Sequence, residues 1–109
     1  MKRILITAGT AAVIAAGAFL PFGNLSAADQ AGETLFKQHC AACHPGGTNI
    51  INPQKTLQKK VREGNNVKTA DDIIKLMRNP GAGMSKFDSK TISDKDAKLI
   101  ANYILSTFK

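Results

Sequence analysis

Two cysteines separated by two alanines and followed at once by a histidine, Cys40-Ala41-Ala42-Cys43-His44, constrain this chain more than any other feature. C-x-x-C-H is the attachment motif of c-type haem, in which each thiol adds to one vinyl group of the porphyrin. One helical turn spaces the two sulfur atoms about as far apart as the vinyl groups. The histidine then lies beneath the iron, where imidazole is a good ligand. The motif predicts one haem, bound covalently through Cys40 and Cys43, with His44 on the iron.

A C-x-x-C pair also occurs in thiol-disulfide oxidoreductases and in half of a zinc site. Zinc would need two more ligands, but the sequence has no third cysteine, and its only other histidine, His39, directly precedes Cys40. We expect His39 at the surface or at the rim of the ring. Haem attachment is therefore favoured over a redox disulfide and over a zinc site.

Residues 1–28 have the pattern of a secretory leader. Two basic residues precede an uncharged run of 17 residues, Ile4 to Leu20, and Ser26-Ala27-Ala28 supplies small residues for cleavage after Ala28. The alternative is an uncleaved membrane anchor, but this run is at the lower limit of a bilayer span and is diluted by Ala and Gly. We predict cleavage, no stable membrane insertion afterwards, and a folded domain of residues 29–109 outside the cytoplasm. The compartment would be the periplasm, or the thylakoid lumen if the source is photosynthetic.

The predicted mature chain is small and basic. Its 81 residues are few for a hydrophobic core, so the domain needs a staple, and a covalent haem can act as one. Thirteen of the 15 lysines and arginines and all eight acids follow residue 28, which leaves a balance of +5. Four of the basic residues lie within eight positions: Lys55, Lys59, Lys60 and Arg62. We expect a monomer whose basic helix docks on acidic surfaces of redox partner proteins. Nucleic acid is a poor partner, because no aromatic residues alternate with the lysines.

The periodicity of apolar residues predicts an all-helical domain with no strands. The expected helices are residues 29–42, 53–63, 69–79 and 93–109. Asp29 would cap the first, and Pro53 would open the second at its first turn. Capping boxes of Thr69 with Asp72, and of Ser93 with Asp96, would start the third and fourth.

The second iron ligand has to come from outside the motif. Methionine is the available donor, because a thioether suits haem iron. Met77 lies on the apolar stripe of the third helix and is expected in the core. Met84 follows glycines in a loop, and a loop can lower its side chain onto the ring. Met84 is therefore the predicted axial ligand opposite His44, and the apolar pair Ile50 and Ile51 is a candidate to cover the ring.

Taken together, residues 29–109 resemble a class I cytochrome c of the small type that carries electrons in cyanobacteria and algae (the c-six group). The resemblance rests on residues spread along the whole domain. They are Gly32, Phe36, Cys40-Ala-Ala-Cys-His44, Gly46-Gly47, Lys55-Thr-Leu57, Asn79-Pro-Gly-Ala-Gly-Met84, Phe87 and Ala101-Asn-Tyr-Ile-Leu105. It implies a class I cytochrome c fold, about four helices packed around one covalently bound haem.

The resemblance also implies specific contacts. His44 and Met84 would be the axial pair, and Gly32 and Phe36 on the first helix would meet Ile100 and Tyr103 on the last. The Pro53 carbonyl would accept the Nδ1 proton of the iron-bound histidine. Ser85 departs from the family, which often has proline after the ligand methionine, and a more flexible ligand loop would follow.

These features predict a one-electron carrier. Haem with two strong axial ligands has no vacant position for a substrate, so an enzyme is not expected. The main alternative is a haem-based sensor or gas-binding protein, in which Met84 is absent from the iron or leaves it readily. A thiol-disulfide oxidoreductase is the second alternative.

Overall fold

The computed structural model describes residues 9–14, 16–17 and 26–109, and all of its helices lie in the last range. Most of the predicted leader, residues 1–28, lies outside the described residues, so its cleavage remains a prediction. Among the residues that are described, no helix is both long enough and apolar enough to cross a membrane.

Residues 26–109 form four α-helices and one 3₁₀ turn. The helices are α1 (Ala27–His39), α2 (Lys59–Gly64), α3 (Ala70–Arg78) and α4 (Asp94–Thr107), and the 3₁₀ turn is Pro45–Gly47. The described ranges contain no strand. The predicted all-α class with about four helices is confirmed.

The starts of α3 and α4 follow from local capping. Thr69 Oγ1 accepts the Asp72 N–H at 3.2 Å, and Asp72 Oδ2 accepts the Thr69 N–H at 3.0 Å, which completes the predicted box. Ser93 Oγ accepts the Asp96 N–H at 3.1 Å, so α4 uses the serine half of its predicted box. Both helices begin where the sequence predicted because a cap involves only neighbouring residues.

Helix α1 starts two residues earlier than expected, because Ser26 is its cap rather than Asp29. Ser26 Oγ accepts the Asp29 N–H at 3.1 Å and donates to Asp29 Oδ2 at 2.7 Å. The helix ends at His39, three residues before the predicted end, and the Cys40 N–H closes it on the Phe36 carbonyl at 2.8 Å. The cysteine motif therefore lies in a turn after α1 and not within it.

Helix α2 is much shorter than predicted, and Pro53 does not open it. Asparagine side chains hold the preceding segment in turns: Asn49 Oδ1 accepts the Asn52 N–H at 2.8 Å, and Asn52 Oδ1 accepts the Gln54 N–H at 3.2 Å. Such bonds offer the backbone an alternative to helical bonding. Lys55 consequently precedes the helix and does not belong to it.

Helix α4 is the centre of the core, since both α1 and α3 pack against it. The core residues are Phe36, Ile73, Met77, Ile92, Ala97, Ile100, Ala101, Ile104 and Phe108. At the α1–α4 contact, a Cβ on Gly32 would lie 2.5 Å from the Leu99 carbonyl oxygen and 2.9 Å from Tyr103 Cβ. The Phe36 and Tyr103 rings pack with their centroids 5.3 Å apart. The expected contact of Gly32 with Tyr103 is present, and the Leu99 carbonyl also lies against this glycine.

Candidate haem site

The cysteine motif forms one further turn beyond α1. The His44 N–H donates to the Cys40 carbonyl at 2.9 Å, and the Cys43 N–H reaches the same oxygen at 3.2 Å. Cys43 is exposed, Cys40 is half-buried, and neither forms a disulfide. The turn presents two free thiols and an imidazole from five consecutive residues, which is the donor set that c-type haem attachment requires.

Burial raises the pKa of the Cys40 thiol to about 11. A thiol-disulfide oxidoreductase uses a cysteine whose pKa is lowered, because the thiolate is the nucleophile. Cys40 has the opposite perturbation. Nor do any three His, Cys, Asp or Glu side chains in the described ranges form a group that could hold a metal ion. Neither the oxidoreductase nor the zinc interpretation of the cysteine pair gains support.

The ring of His44 is oriented by the loop that follows it. Its Nδ1 lies 2.8 Å from the Thr48 carbonyl oxygen. A carbonyl can only accept, so Nδ1 carries the proton and Nε2 has its lone pair free to bind a metal. The prediction that the Pro53 carbonyl accepts this proton is wrong. The 3₁₀ turn Pro45–Gly47 places the Thr48 carbonyl next to the imidazole instead.

Two glycines make this return possible. Gly46 and Gly47 have φ of 59° and 81°, in the left-handed region that other residues rarely adopt. A Cβ on Gly47 would also collide with the Phe108 ring. The Gly47 carbonyl in turn accepts the Leu57 N–H at 2.8 Å, which ties the turn to the segment before α2. The turn of the cysteine motif therefore ends at Pro45–Gly47.

Asn49, whose role was not predicted from the sequence, holds the next loop. Its Oδ1 accepts the N–H groups of Ile51 and Asn52 at 3.0 and 2.8 Å, and its Nδ2 donates to the Lys55 carbonyl at 2.9 Å. The loop presents Ile50 and Ile51 outward, 59% and 60% exposed. An asparagine within a run of turn-forming residues is the signal that could have identified it.

The two methionines differ as predicted. Met77 is 3% exposed in the core, whereas Met84 is 37% exposed in the loop between α3 and α4. No hydrogen bond in the described ranges joins Met84 directly to the cysteine motif. Its loop nevertheless lies against the Ile51 loop, because a Cβ on Gly83 would lie 3.0 Å from Ile51 Cγ2. The Met84 loop is therefore a neighbour of the Ile51 loop, which follows His44 in the chain.

The far end of the Met84 loop returns to the end of α1. The ring of Phe87 packs edge-on against His39, with the centroids 6.2 Å apart. His39 is half-buried there, one residue before Cys40. The segments that carry the predicted ligands are thus connected on both sides, through Ile51 and through His39.

The residues of the site fit a c-type haem. Two thiols are available for thioether bonds, and His44 has the tautomer that binds iron. The partly or largely exposed apolar side chains of Ile50, Ile51 and Met84 suit an apolar macrocycle. A groove of about 550 Å³ between α3 and the segment before it, lined by Asn65 to Val67, Leu76 and Asn79 among others, contains none of the four predicted site residues. We do not assign the haem to that groove.

Arg62 is buried, contrary to its predicted place on a basic docking face. Only 4% of the residue is exposed, and its Nε donates to the Leu57 carbonyl at 2.7 Å. Lys59 forms an ion pair with Glu63 at 2.7 Å on α2. Lys55 and Lys60 are exposed, but the first is not helical. The prediction that these four residues form one basic docking helix is therefore wrong.

Comparison with known proteins gives consistent results. Residues 27–104 match the family described as cytochrome c oxidase, cbb3-type, subunit III. Cytochrome c6 of Pyropia tenera is 44% identical over 75 residues, covering 69% of this chain and 87% of its own length. Cytochrome c6 of Synechocystis is 37% identical over 106 residues, covering 95% of this chain and 88% of its own length.

Solved structures agree with the sequence matches. The outer membrane cytochrome OmcF of Geobacter sulfurreducens has a TM-score of 0.70 at 42% identity, covering 72% of this chain and 99% of that protein. Oxidised cytochrome c6A of Arabidopsis thaliana has a TM-score of 0.71 at 30% identity, covering 75% of this chain and 91% of that protein. The fold is one that small c-type cytochromes share.

Proposed function

Because this chain belongs to the small class I cytochromes c of the cytochrome c6 type, it carries one covalently bound c-type haem and transfers electrons, and we propose how its residues do so. Cys40 and Cys43 form the thioether bonds. His44 and Met84 would hold the iron. The observation that carries the assignment of His44 is the bond from its Nδ1 to the Thr48 carbonyl, which leaves Nε2 as the nitrogen available to iron.

The haem supplies reversible one-electron chemistry when it is bound. The residues of this chain hold the ligands in place and exclude water from the ring. Two axial ligands leave no vacant position for a substrate, so the protein is proposed to act as a carrier rather than as an enzyme. A methionine opposite histidine also raises the reduction potential relative to two histidines.

The working compartment is proposed to lie outside the cytoplasm. Support comes from the leader pattern of residues 1–28 and from the cysteine pair, which haem uses in place of a disulfide. Ser26, the cap of α1, lies within the predicted leader. Cleavage after Ala28 would remove this cap and the first two residues of α1, so the mature domain would begin within the helix.

Intact mass of the exported protein tests attachment and cleavage together. We expect a chain that begins at Asp29 and carries the mass of one haem. A mass that retains residues 1–28 would contradict cleavage, and a mature chain without the added haem would contradict attachment. Replacing both Cys40 and Cys43 by Ala is the matched control, since no thioether bond can then form.

Redox partners are proposed to be acidic at their docking surfaces. The mature balance of +5 supports this, as do the exposed lysines on either side of the start of α2, Lys55 and Lys60. Brief electron-transfer contacts bury little surface, so their rates depend on charge steering.

A haem-based sensor is the alternative function. Binding of carbon monoxide to the reduced protein at micromolar concentration would favour it.

A further inference from the structure

The loop that carries Met84 is held by hydrogen bonds at its ends and not along its length. Among the hydrogen bonds of residues 26–109, none joins residues 80–86 to another element. The segment contains Gly81 and Gly83, the latter with φ of 89°, and it has Ser85 after the methionine. Glycine and serine restrict the backbone less than proline does. The position of the Met84 sulfur therefore depends on how firmly the two ends are held.

The two ends of the loop are brought together at the end of α3. At the entry, the Asn79 N–H donates to the Lys75 carbonyl at 2.8 Å. At the exit, the Phe87 N–H donates to the Met77 carbonyl at 2.9 Å. The Phe87 carbonyl accepts from Arg78 Nη1 at 3.0 Å, so both backbone groups of Phe87 are bound by consecutive residues of one helix.

Arg78 extends this connection to the central helix. Its Nη2 lies 2.8 Å from Asp94 Oδ1, in the first turn of α4. The Arg78 side chain is 23% exposed, whereas that of Asp94 is 89% exposed. One guanidinium therefore joins the end of α3, the exit of the Met84 loop and the start of α4. Its planar arrangement of donors permits both bonds at once, which a lysine ammonium does not reproduce.

We propose that Arg78 is a positioning residue that keeps the Met84 sulfur on the haem iron. The inference rests on the ligation proposed above and adds a residue that does not touch the iron. Breaking the bond from Arg78 to the Phe87 carbonyl frees the exit of the loop. The loop then opens more often while the helices stay packed, as a local opening rather than global unfolding.

The plainer interpretation is that Arg78 and Asp94 only complement the helix dipoles. A cation at the end of α3 and an anion at the start of α4 are each favourable, and an exposed ion pair contributes little. That interpretation predicts that the bond to the Phe87 carbonyl does not affect ligand exchange. The two roles can therefore be separated by experiment.

The test is the rate at which imidazole replaces the methionine in the ferric holoprotein, followed by the optical spectrum. Arg78→Gln removes the guanidinium. Lys75→Gln is a matched control, because it removes an exposed cation from the same helix. Ile100→Val is the second control, because it weakens the fully buried core of α4 without touching the loop. The free energy of unfolding of each variant is measured in parallel.

We expect Arg78→Gln to raise the exchange rate about ten- to a hundredfold, the effect of losing one charge-assisted hydrogen bond. Lys75→Gln should leave the rate unchanged. Ile100→Val should raise it much less than Arg78→Gln even when both lose the same free energy of unfolding. Asp94→Asn, which leaves the Phe87 bond in place, should have a smaller effect and provides a second test if Arg78→Gln does not fold.

Two results would overturn the inference. The first is an exchange rate in Arg78→Gln and in Asp94→Asn that equals the wild-type rate. The second is an exchange rate that rises as much in Ile100→Val as in Arg78→Gln. Either result would show that the connection is only structural. A wild-type ferric spectrum with no methionine–iron band would be a different failure. It would overturn the proposed ligation itself, and this inference with it.

Discussion

Arg62 shows how a single residue can look like surface in the sequence and lie in the interior of the structure. Its guanidinium forms no ion pair among the described residues and donates instead to main-chain oxygens. The Nε bond to the Leu57 carbonyl is short, at 2.7 Å, and longer bonds reach the carbonyls of Val67 and Phe108 at 3.4 and 3.5 Å. Arg62 thus joins the segments on both sides of α2 to the C-terminal end of the chain.

Replacing Arg62 by Met should lower the free energy of unfolding by about 2–4 kcal/mol, because buried carbonyls lose their donor. Chemical denaturation of the haem-loaded protein measures this. Lys60→Met is the matched control on the same helix, and a change within about 0.5 kcal/mol is expected for such an exposed position. Equal stability of the two variants would mean that the Arg62 bonds are not important for the fold.

His44 shows a second limit at this scale. The motif identified the residue, yet the acceptor of its Nδ1 proton was not predictable, because it depends on the path of residues 45–48. That path requires positive φ at Gly46 and Gly47. The two glycines are visible in the sequence, but the direction in which they turn the chain is not.

Among the elements, those with local signals were predicted and those set by distant contacts were not. Helices α3 and α4 begin at their predicted caps, Thr69 and Ser93. The predicted start of helix α2 was too early. Pro53 has the pattern of a helix start, but Asn49 and Asn52 hold the chain in turns there. Helix α1 begins inside the predicted leader, with Ser26 as its cap. Ser26 is both a suitable helix cap and a small residue of the cleavage motif.

The cap of α3 predicts a pH dependence of stability. Hydrogen bonds from the Lys68 and Thr69 backbone N–H groups hold the pKa of Asp72 below its ordinary value of 3.8. A carboxylate with a lowered pKa in the folded state contributes stability above its ordinary pKa, and this contribution is lost as the pH falls through the folded-state pKa.

We therefore expect the wild type to lose stability relative to Asp72→Asn as the pH falls below about 4. Urea denaturation at a series of pH values measures the difference. Asp71→Asn, at the neighbouring exposed position, controls for the loss of one negative charge in the first turn. A difference between wild type and Asp72→Asn that does not change with pH would contradict the role of the carboxylate in this cap.

For the molecule as a whole, the class and helix number followed from the sequence, whereas the shape of the charged surface did not. Net charge is a property of composition, but burial of Arg62 and pairing of Lys59 with Glu63 depend on the folded structure. Of the four clustered basic residues, Lys55 and Lys60 are the two that are exposed and form no ion pair among the described residues. Charge steering is accordingly assigned to them.

Reversing both Lys55 and Lys60 to Glu should slow association with an acidic redox partner and reduce the dependence of the rate on salt. Stopped-flow electron transfer at several ionic strengths measures both effects. Reversing Lys95 and Lys98 to Glu, two exposed lysines of α4, controls for the same change of net charge at another place. Equal slowing by both pairs would assign the effect to net charge, and no slowing would exclude steering.

The central claim is that His44 and Met84 hold the iron, and the near-infrared absorption of the ferric holoprotein tests it most directly. Methionine ligation gives a weak charge-transfer band in that region. We predict the band in the wild type and in Met77→Ala, which should lose about 2–5 kcal/mol of stability because it empties a buried site. Met84→Ala should lose the band and have a lower reduction potential. A wild type without the band, or a band that survives in Met84→Ala and disappears in Met77→Ala, would contradict this account.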